Sequence, residues 1–392
     1  MSISIAEIKA LAQKYKSQVI SYRHYLHAHP ELSFEEEQTA AYIRSFLEDH
    51  QIPYTSGWGG HGIIATLYGG QAGPRRAFRA DIDALPIQEE NDKPYASQHP
   101  GKMHACGHDV HSSSMMGAIL ILKELSERWS GSIDFVFQPG EEKHPGGASL
   151  MLNEGAFGAS YPEFILGQHV YPSMEVGKVG YRSGQYMASA DELYITVRGK
   201  GGHAATPHHA IDTILVAAHI VTALQQVISR KVDPISPSVL TIGKINSTGG
   251  ATNIIPEEVK MEGTFRAMDE KWRYEAHEHI KNICEGTAAA MGASCEVYIS
   301  VGYPSLINDD KVTEVVADKM KAYLGDEMVE ELPIRLAAED FSYYTQVMPA
   351  CFYRLGTGNK ARGITSAVHT PTFDIDEDAL ELGSGLAAWL LI

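Results

Sequence analysis

The chain has 392 residues, 44% of them apolar, and a formal charge of −17 from 32 Lys and Arg against 49 Asp and Glu. Such a length exceeds what one hydrophobic core encloses and predicts two domains, and the apolar fraction excludes a disordered chain. Net acidity without a basic block disfavours nucleic acid and anionic membrane surfaces as partners.

No stretch approaches the roughly 20 apolar residues of a membrane-spanning helix. Glu7 in MSISIAEIKALAQKYK falls where a secretory signal needs an apolar core. Four cysteines, at 106, 284, 295 and 351, are too scattered for a disulfide framework, and a reducing, cytoplasmic compartment is expected.

Two helices open the chain, over about 5–26 and 33–50, and Ser33-Phe34-Glu35-Glu36 carries the capping-box pattern for the second. Between them His27-Ala28-His29-Pro30-Glu31 imitates a metal motif, but the proline imposes an extended turn, so a structural or substrate-rim role is favoured. Apolar runs at 63–68 and 77–81 read as strands. The second ends in Asp81-Ile82-Asp83, at the kind of strand end where open α/β sheets gather ligands. A carboxylate there suits the task of orienting an imidazole.

Residues 103–111, MHACGHDVH, pack Cys106, His104, His108 and His111 beside Asp109. Gly107 lets the backbone turn so that Cys106 and His108 can aim at one point. SSSMMGAILILKEL follows as a buried helix, which puts the cluster at a helix N-terminus suited to anionic ligands. A strand over 133–137 runs into Gln138-Pro139-Gly140-Glu141-Glu142. Adjacent carboxylates on an extended backbone diverge, so one can bind metal while its neighbour serves as a base. A short strand at 164–167 delivers His169 just past its end.

From about Ser183 the texture changes. A strand at 193–198, a glycine-rich loop at 199–207 containing His203, a helix at 210–229, strands at 239–245 and 259–265, a helix at 270–291 and a strand at 295–301 follow. That order predicts a ferredoxin-like α+β sandwich over 184–303. It is expected to interrupt a first domain built from 1–183 and 304–392, the one that carries the Cys/His cluster. The fold class expected is α/β, a mixed sheet flanked by helices with an inserted α+β domain. The first texture resumes with a helix at 309–324, the loop 337–342, a strand at 351–355 and His369-Thr370-Pro371 before an apolar terminal helix.

Cys106, His108, Glu141, Glu142, His169 and His369 are thus the candidate chemical groups. This N/O/S mixture suits Zn, Mn, Co or Ni rather than Ca or Mg. Five ligands exceed one hydrolytic zinc with an open position, and two divalent ions about 3.5–4 Å apart accommodate them better.

The motifs RADIDALP, MHACGHDVH, QPGEE, GQHV, GGHAATPHHAID, TNIIPEEVKMEGTFR, AAEDFSYY and HTPTFDID stand in the order found in aminoacylase/carboxypeptidase-type metallo-amidohydrolases. Over nearly its whole length the chain resembles the branch holding hippurate hydrolases, indole-acetyl-amino-acid hydrolases and N-acetyldiaminopimelate deacetylases. The resemblance implies two divalent transition-metal ions held by Cys106, His108, Glu142, His169 and His369, with Glu141 as general base and acid. It implies that His203, on the inserted domain and sometimes from a partner subunit, polarises the scissile carbonyl. It further implies that Asn253 and Arg266 hold the substrate carboxylate and that Asp83 orients a metal-side group. An N-acyl-amino acid is the implied substrate and a homodimer the implied assembly.

Carboxypeptidase-like members carry HxD where this chain has Asp81-Ile82-Asp83, and an Asp ligand where it has the Cys/His cluster, so their metal chemistry does not transfer unaltered. The roles of His104 and His111 stay open. Rival functions are an amidase using Cys106 as nucleophile, a dipeptidase or carboxypeptidase on the same scaffold, and a non-catalytic amino-acid binder.

Overall fold

The computed structural model describes residues 3–392. Helix α1 (Ile5–Ala28) begins at a capping box in which the Ser4 hydroxyl accepts from Glu7 N–H and the Glu7 carboxylate accepts from Ser4 N–H. Helix α2 (Glu37–Asp49) corrects the expected Ser33/Glu36 box, because neither side chain caps it. Instead the Glu31 carboxylate accepts from Gln38 and Thr39 N–H at 3.1 and 2.7 Å. Ser33 and Glu36 are engaged elsewhere, as described below.

Strands β1 (Tyr54–Trp58), β2 (Gly62–Tyr68) and β3 (Gln71–Asp81) lead to helix α3 (His108–Glu124). Then come β4 (Ser130–Gln138), α4 (Gly147–Asn153), β5 (Ile165–Glu175) and β6 (Val179–Tyr181). The middle of the chain holds β7 (Asp191–Arg198), α5 (Thr213–Gln226), β8 (Ser238–Ser247), β9 (Glu258–Ala267), α6 (Glu270–Ala290) and β10 (Ser294–Val301). Helix α7 (Asp310–Leu324), β11 (Val329–Glu331), α8 (Ser342–Thr345), β12 (Ala350–Gly358) and α9 (Asp378–Leu390) complete it.

Two units result. One comprises Met1–Gly184, Ile307–Pro333 and Asp340–Ile392; the other comprises Gln185–Leu306 and Ile334–Glu339. The first is a mixed α/β unit whose eight-stranded sheet runs β1-β2-β4-β3-β5-β12-β6-β11. Its centre is parallel, β4 with β3, β3 with β5 and β5 with β12, and all nine residues of β12 are buried, as central parallel strands require. Helix α3 is buried on every side from His108 to Leu122 because it lies against β3 and between α1 and α9. His169 corrects the expected short strand: β5 continues through it to Glu175, since β12 supplies parallel backbone partners that far.

In the second unit an antiparallel sheet runs β8-β9-β7-β10, the strand order of a βαββαβ sandwich. Strand β7 alternates buried and exposed positions, and Leu193, Ile195 and Val197 meet Val216, Ile220 and Leu224 of α5 and Ala276 and Ile280 of α6. Against the sequence expectation, the helical stretch Thr213–Lys231 is long and apolar enough to cross a bilayer by length and composition. Its buried face nonetheless belongs to this unit's own core.

Candidate metal centre

In the first unit, the carboxyl ends of β3 and β4, the start of α3, the middle of β5 and the loop before α9 bring the candidate donors together. Gly107 makes the tightest turn. It has φ +81°, and a Cβ there would lie 2.7 Å from Val170 Cγ2, so only glycine lets the chain reverse between Cys106 and His108. Cys106 Sγ is 3.5 Å from His169 Nε2 and 3.3 Å from His369 Nε2. Glu142 Oε1 lies 3.2 Å from His369 Nε2 and 3.9 Å from His108 Nε2. Cys106, His108 and His169 form one group of donors within 4.8 Å of one another; Cys106, Glu142 and His369 form a second, and His108, Glu141 and Glu142 a third.

Two of the three imidazoles are turned inward by a ring bond on the far side. His108 Nδ1 is 3.1 Å from Asp83 Oδ1, and His169 Nδ1 donates to the Val170 carbonyl at 2.8 Å. Asp83 Oδ2 also accepts from Glu142 N–H, so one carboxylate steadies two of the donors. His369 sits at φ +63°, a conformation costly for a residue with a Cβ, and its N–H donates to the Ala105 carbonyl at 2.7 Å. That bond pins the His369 loop to the residue preceding Cys106.

Of the two histidines left open by the sequence, His111 stands in a further donor group with Asp81 and His108, and His104 stands in none of the groups. His111 has Nδ1 2.5 Å from Asp81 Oδ1 and accepts the Val170 N–H at Nε2, so both nitrogens are committed. His104 is fully buried with no hydrogen-bond partner on either ring nitrogen among the described residues, and burial pushes its pKa down to about 4.

Sequence reasoning missed Arg79 and Asp340. Buried Arg79 donates to Asp81 Oδ2 at 2.6 Å, Gln138 Oε1 at 2.9 Å and Asp340 Oδ1 at 2.7 Å. Asp340 N–H in turn faces Glu141 Oε1 at 3.4 Å. The available signal was an arginine inside an otherwise apolar strand, AFRAD, which must find acids when buried.

The electrostatics favour cations. Burial, then Glu142, Glu141 and Asp81, push the Cys106 thiol well above its ordinary pKa. Burial alone would lower His108, yet Asp81 and Asp83 raise it to about 10. His108 Nε2 and Glu142 Oε1 are buried without a hydrogen-bond partner among the described residues. Tetrahedral coordination with bonds of about 2.0–2.1 Å to nitrogen and about 2.3 Å to sulfur places neighbouring donors roughly 3.3–3.7 Å apart. The measured separations of 3.2, 3.3, 3.5 and 3.9 Å lie close to that span. The donor set therefore fits divalent transition metals.

In the second unit, His203 and Asn253 line one open hollow of about 660 Å³ together with Thr248 and Gly249. His203 Nδ1 accepts from Ala205 N–H at 3.0 Å, which puts the ring hydrogen of the neutral imidazole on Nε2. Arg266 lies on β9 opposite Val239 and is not among the residues lining that hollow.

Scaffold and cluster are those of a hydrolase. Residues 77–391 match the model of peptidase family M20/M25/M40, and the chain belongs to that family as an amidohydrolase. It is 42% identical to an N-acyl-L-amino acid amidohydrolase of Geobacillus stearothermophilus, over 78% of this chain and 82% of that one. It is 38% identical to an N-acetylcysteine deacetylase of Bacillus subtilis (96% and 97% covered) and 34% identical to thermostable carboxypeptidase 2 of Saccharolobus solfataricus (99% and 98% covered). A solved Bacillus subtilis structure described as a dinuclear metal binding peptidase from the M20 family superposes with a TM-score of 0.82 at 34% identity, covering 96% of this chain and 98% of that one.

Proposed function

We propose that the protein hydrolyses the amide of N-acyl-amino acids at a centre of two divalent transition-metal ions. The observation that carries this is the pair of overlapping donor groups, Cys106 with His108 and His169, and Cys106 with Glu142 and His369, bordered by the carboxylate of Glu141. Ions held by Cys106, His108, Glu142, His169 and His369 would supply Lewis acidity and lower the pKa of a bound water. Glu141 takes the proton from the attacking water and returns it to the leaving nitrogen. Asp83 fixes the His108 ring and the Glu142 backbone while this occurs. We assign His203, with its Nε2 hydrogen, to the developing oxyanion, and Asn253 and Arg266 to the substrate carboxylate. The relatives' names, two of which specify N-acyl or N-acetyl amino acids, support this substrate class.

The place of Cys106 in both donor groups, 3.5 Å from His169 Nε2 and 3.3 Å from His369 Nε2, favours a ligand over the nucleophilic alternative. One relative's carboxypeptidase name favours dipeptides as a second class for the same centre. The deciding experiment pairs metal analysis with a screen of N-acetyl-, N-benzoyl- and dipeptide substrates. Chelation should abolish activity and added Mn, Zn, Co or Ni should restore it. Glu141→Gln should keep its metal and lose about 10²–10⁴-fold in kcat, the usual worth of general acid–base catalysis. Full activity under chelation, or in Glu141→Gln, would overturn this mechanism. We further propose a homodimer in a reducing compartment, in keeping with four free cysteines, and sedimentation of the active enzyme tests the assembly.

A further inference from the structure

We propose that Ser33 and Glu36, on the turn before α2, are positioning residues that set the geometry of His108, Glu142 and Glu141. Neither touches a candidate donor directly, and both lie outside the residues 77–391 that match the family model.

Asp83 is the shared anchor. Its Oδ1 holds His108 Nδ1, and its Oδ2 is shared by Glu142 N–H at 2.9 Å and the Ser33 hydroxyl at 2.7 Å. A carboxylate oxygen held by two donors cannot swing toward the ions, so Ser33 fixes the side chain that fixes the ring. Glu36 acts on the neighbouring loop. It is completely buried, and its Oε1 accepts from Gly140 N–H at 2.8 Å, immediately before Glu141. Its other oxygen has no hydrogen-bond partner among the described residues, and besides the backbone of its own turn at Phe34 and Glu36, Gly140 is what the buried carboxylate holds.

Packing reinforces the hydrogen bonds. Gly140 stands at φ +61°, and a Cβ there would come within 2.3 Å of Phe34 Cε1, so the ring closes directly on the loop backbone. Phe34 itself has φ +68°. A bulky residue in the left-handed region persists only where its surroundings over-determine it. The surroundings that do so are specific: Ala84 N–H donates to the Glu31 carbonyl at 2.8 Å, Leu32 bridges Ala84, and the Glu31 carboxylate caps α2. The loop bearing Asp83 and the loop bearing Glu141 and Glu142 therefore rest on one stiff turn.

The proposal rests on the cluster being a metal centre, and the test separates the two. Wild type, Ser33→Ala, Glu36→Ala and Glu36→Gln are stripped and titrated with Co(II), which gives a thiolate charge-transfer band reporting on Cys106, and kcat and KM are measured beside melting temperature. Ser33→Ala and Glu36→Ala should bind Co(II) about 10–100-fold more weakly, as loss of groups that orient ligands does. Their band should shift, and kcat should fall with KM little changed. Glu36→Gln, which keeps a carbonyl oxygen for Gly140 N–H, should recover all three. Folded alanine variants with wild-type affinity, band and kcat would overturn the proposal, as would a Glu36→Gln no better than Glu36→Ala. If Glu36→Ala does not fold, Ser33→Ala decides alone. A wild type that takes up no Co(II) removes the metal centre itself and the proposal with it.

Discussion

Glu36 shows how one side chain can be set by position against its own sequence signal. Ser33 and Glu36 have the spacing of a capping box, yet α2 draws its cap from Glu31, and both residues face the candidate centre. Spacing along a chain states which residues can reach each other and not which partner is stronger. Burial has a measurable consequence. Desolvation first, and then Asp83, push the Glu36 carboxyl from 4.5 to about 7. A folded-state pKa above the unfolded one stabilises the fold fully below pH 4.5, and that contribution is lost as pH rises toward 7. A shift of this size corresponds to about 3 kcal/mol. Glu36→Gln removes the titration. Its urea-unfolding free energy should match wild type near pH 4 in this respect and exceed it by up to that amount above pH 7. Parallel pH profiles for the two proteins would show that Glu36 does not titrate in the fold.

At the scale of elements, the legible parts were those with a strong local period or a breaker. Helix α3 follows from an apolar run, its N-terminus from Gly107, and the inserted unit from its order of strands and helices. Strand β5 was read too short because its extension past His169 comes from pairing with β12, some 180 residues away in sequence, which no local window contains. Long-range ion pairing was equally hidden. Arg23 of α1, fully buried, donates to Asp109 in the first turn of α3 at 3.0 Å, to Asp374 at 2.8 Å and to Glu377 at 3.3 Å. His27 adds Nδ1 at 2.8 Å from the same Asp109 oxygen. Helix α1 thereby ties the element carrying His108 to the segment that follows His369. Arg23→Met keeps bulk and leaves buried Asp109 without its guanidinium. Removing one partner of a buried ion network costs about 3–5 kcal/mol. The denaturant midpoint should fall accordingly with the slope unchanged, whereas a loss under 1 kcal/mol would mean that His27 alone compensates Asp109.

Across the whole molecule, five donors spread from Cys106 to His369 were legible singly as residue types, and their grouping was read from donor chemistry and the family resemblance rather than from any local pattern, because the sheet's strand order is what brings their loops together. Folding gathers Asp81, Asp83, Glu141 and Glu142 around a buried thiol in a chain already at −17. Arg79 and His108 already pair with Asp81 and Asp83, so the thiol and the two glutamates are the groups that added cations would draw on. Ions that bind the folded state alone stabilise it by about 2.7 kcal/mol at one hundred times their Kd. Chelation should therefore lower the melting temperature by several degrees, and adding Mn or Zn should reverse the loss. The size of that difference separates donors from neighbours. It should persist in Glu141→Gln, whose carboxylate is assigned to proton transfer, and shrink sharply in Cys106→Ala, whose sulfur is common to both donor groups. An equal metal-dependent shift in Cys106→Ala and wild type would mean that the thiol stands beside the ions without holding them.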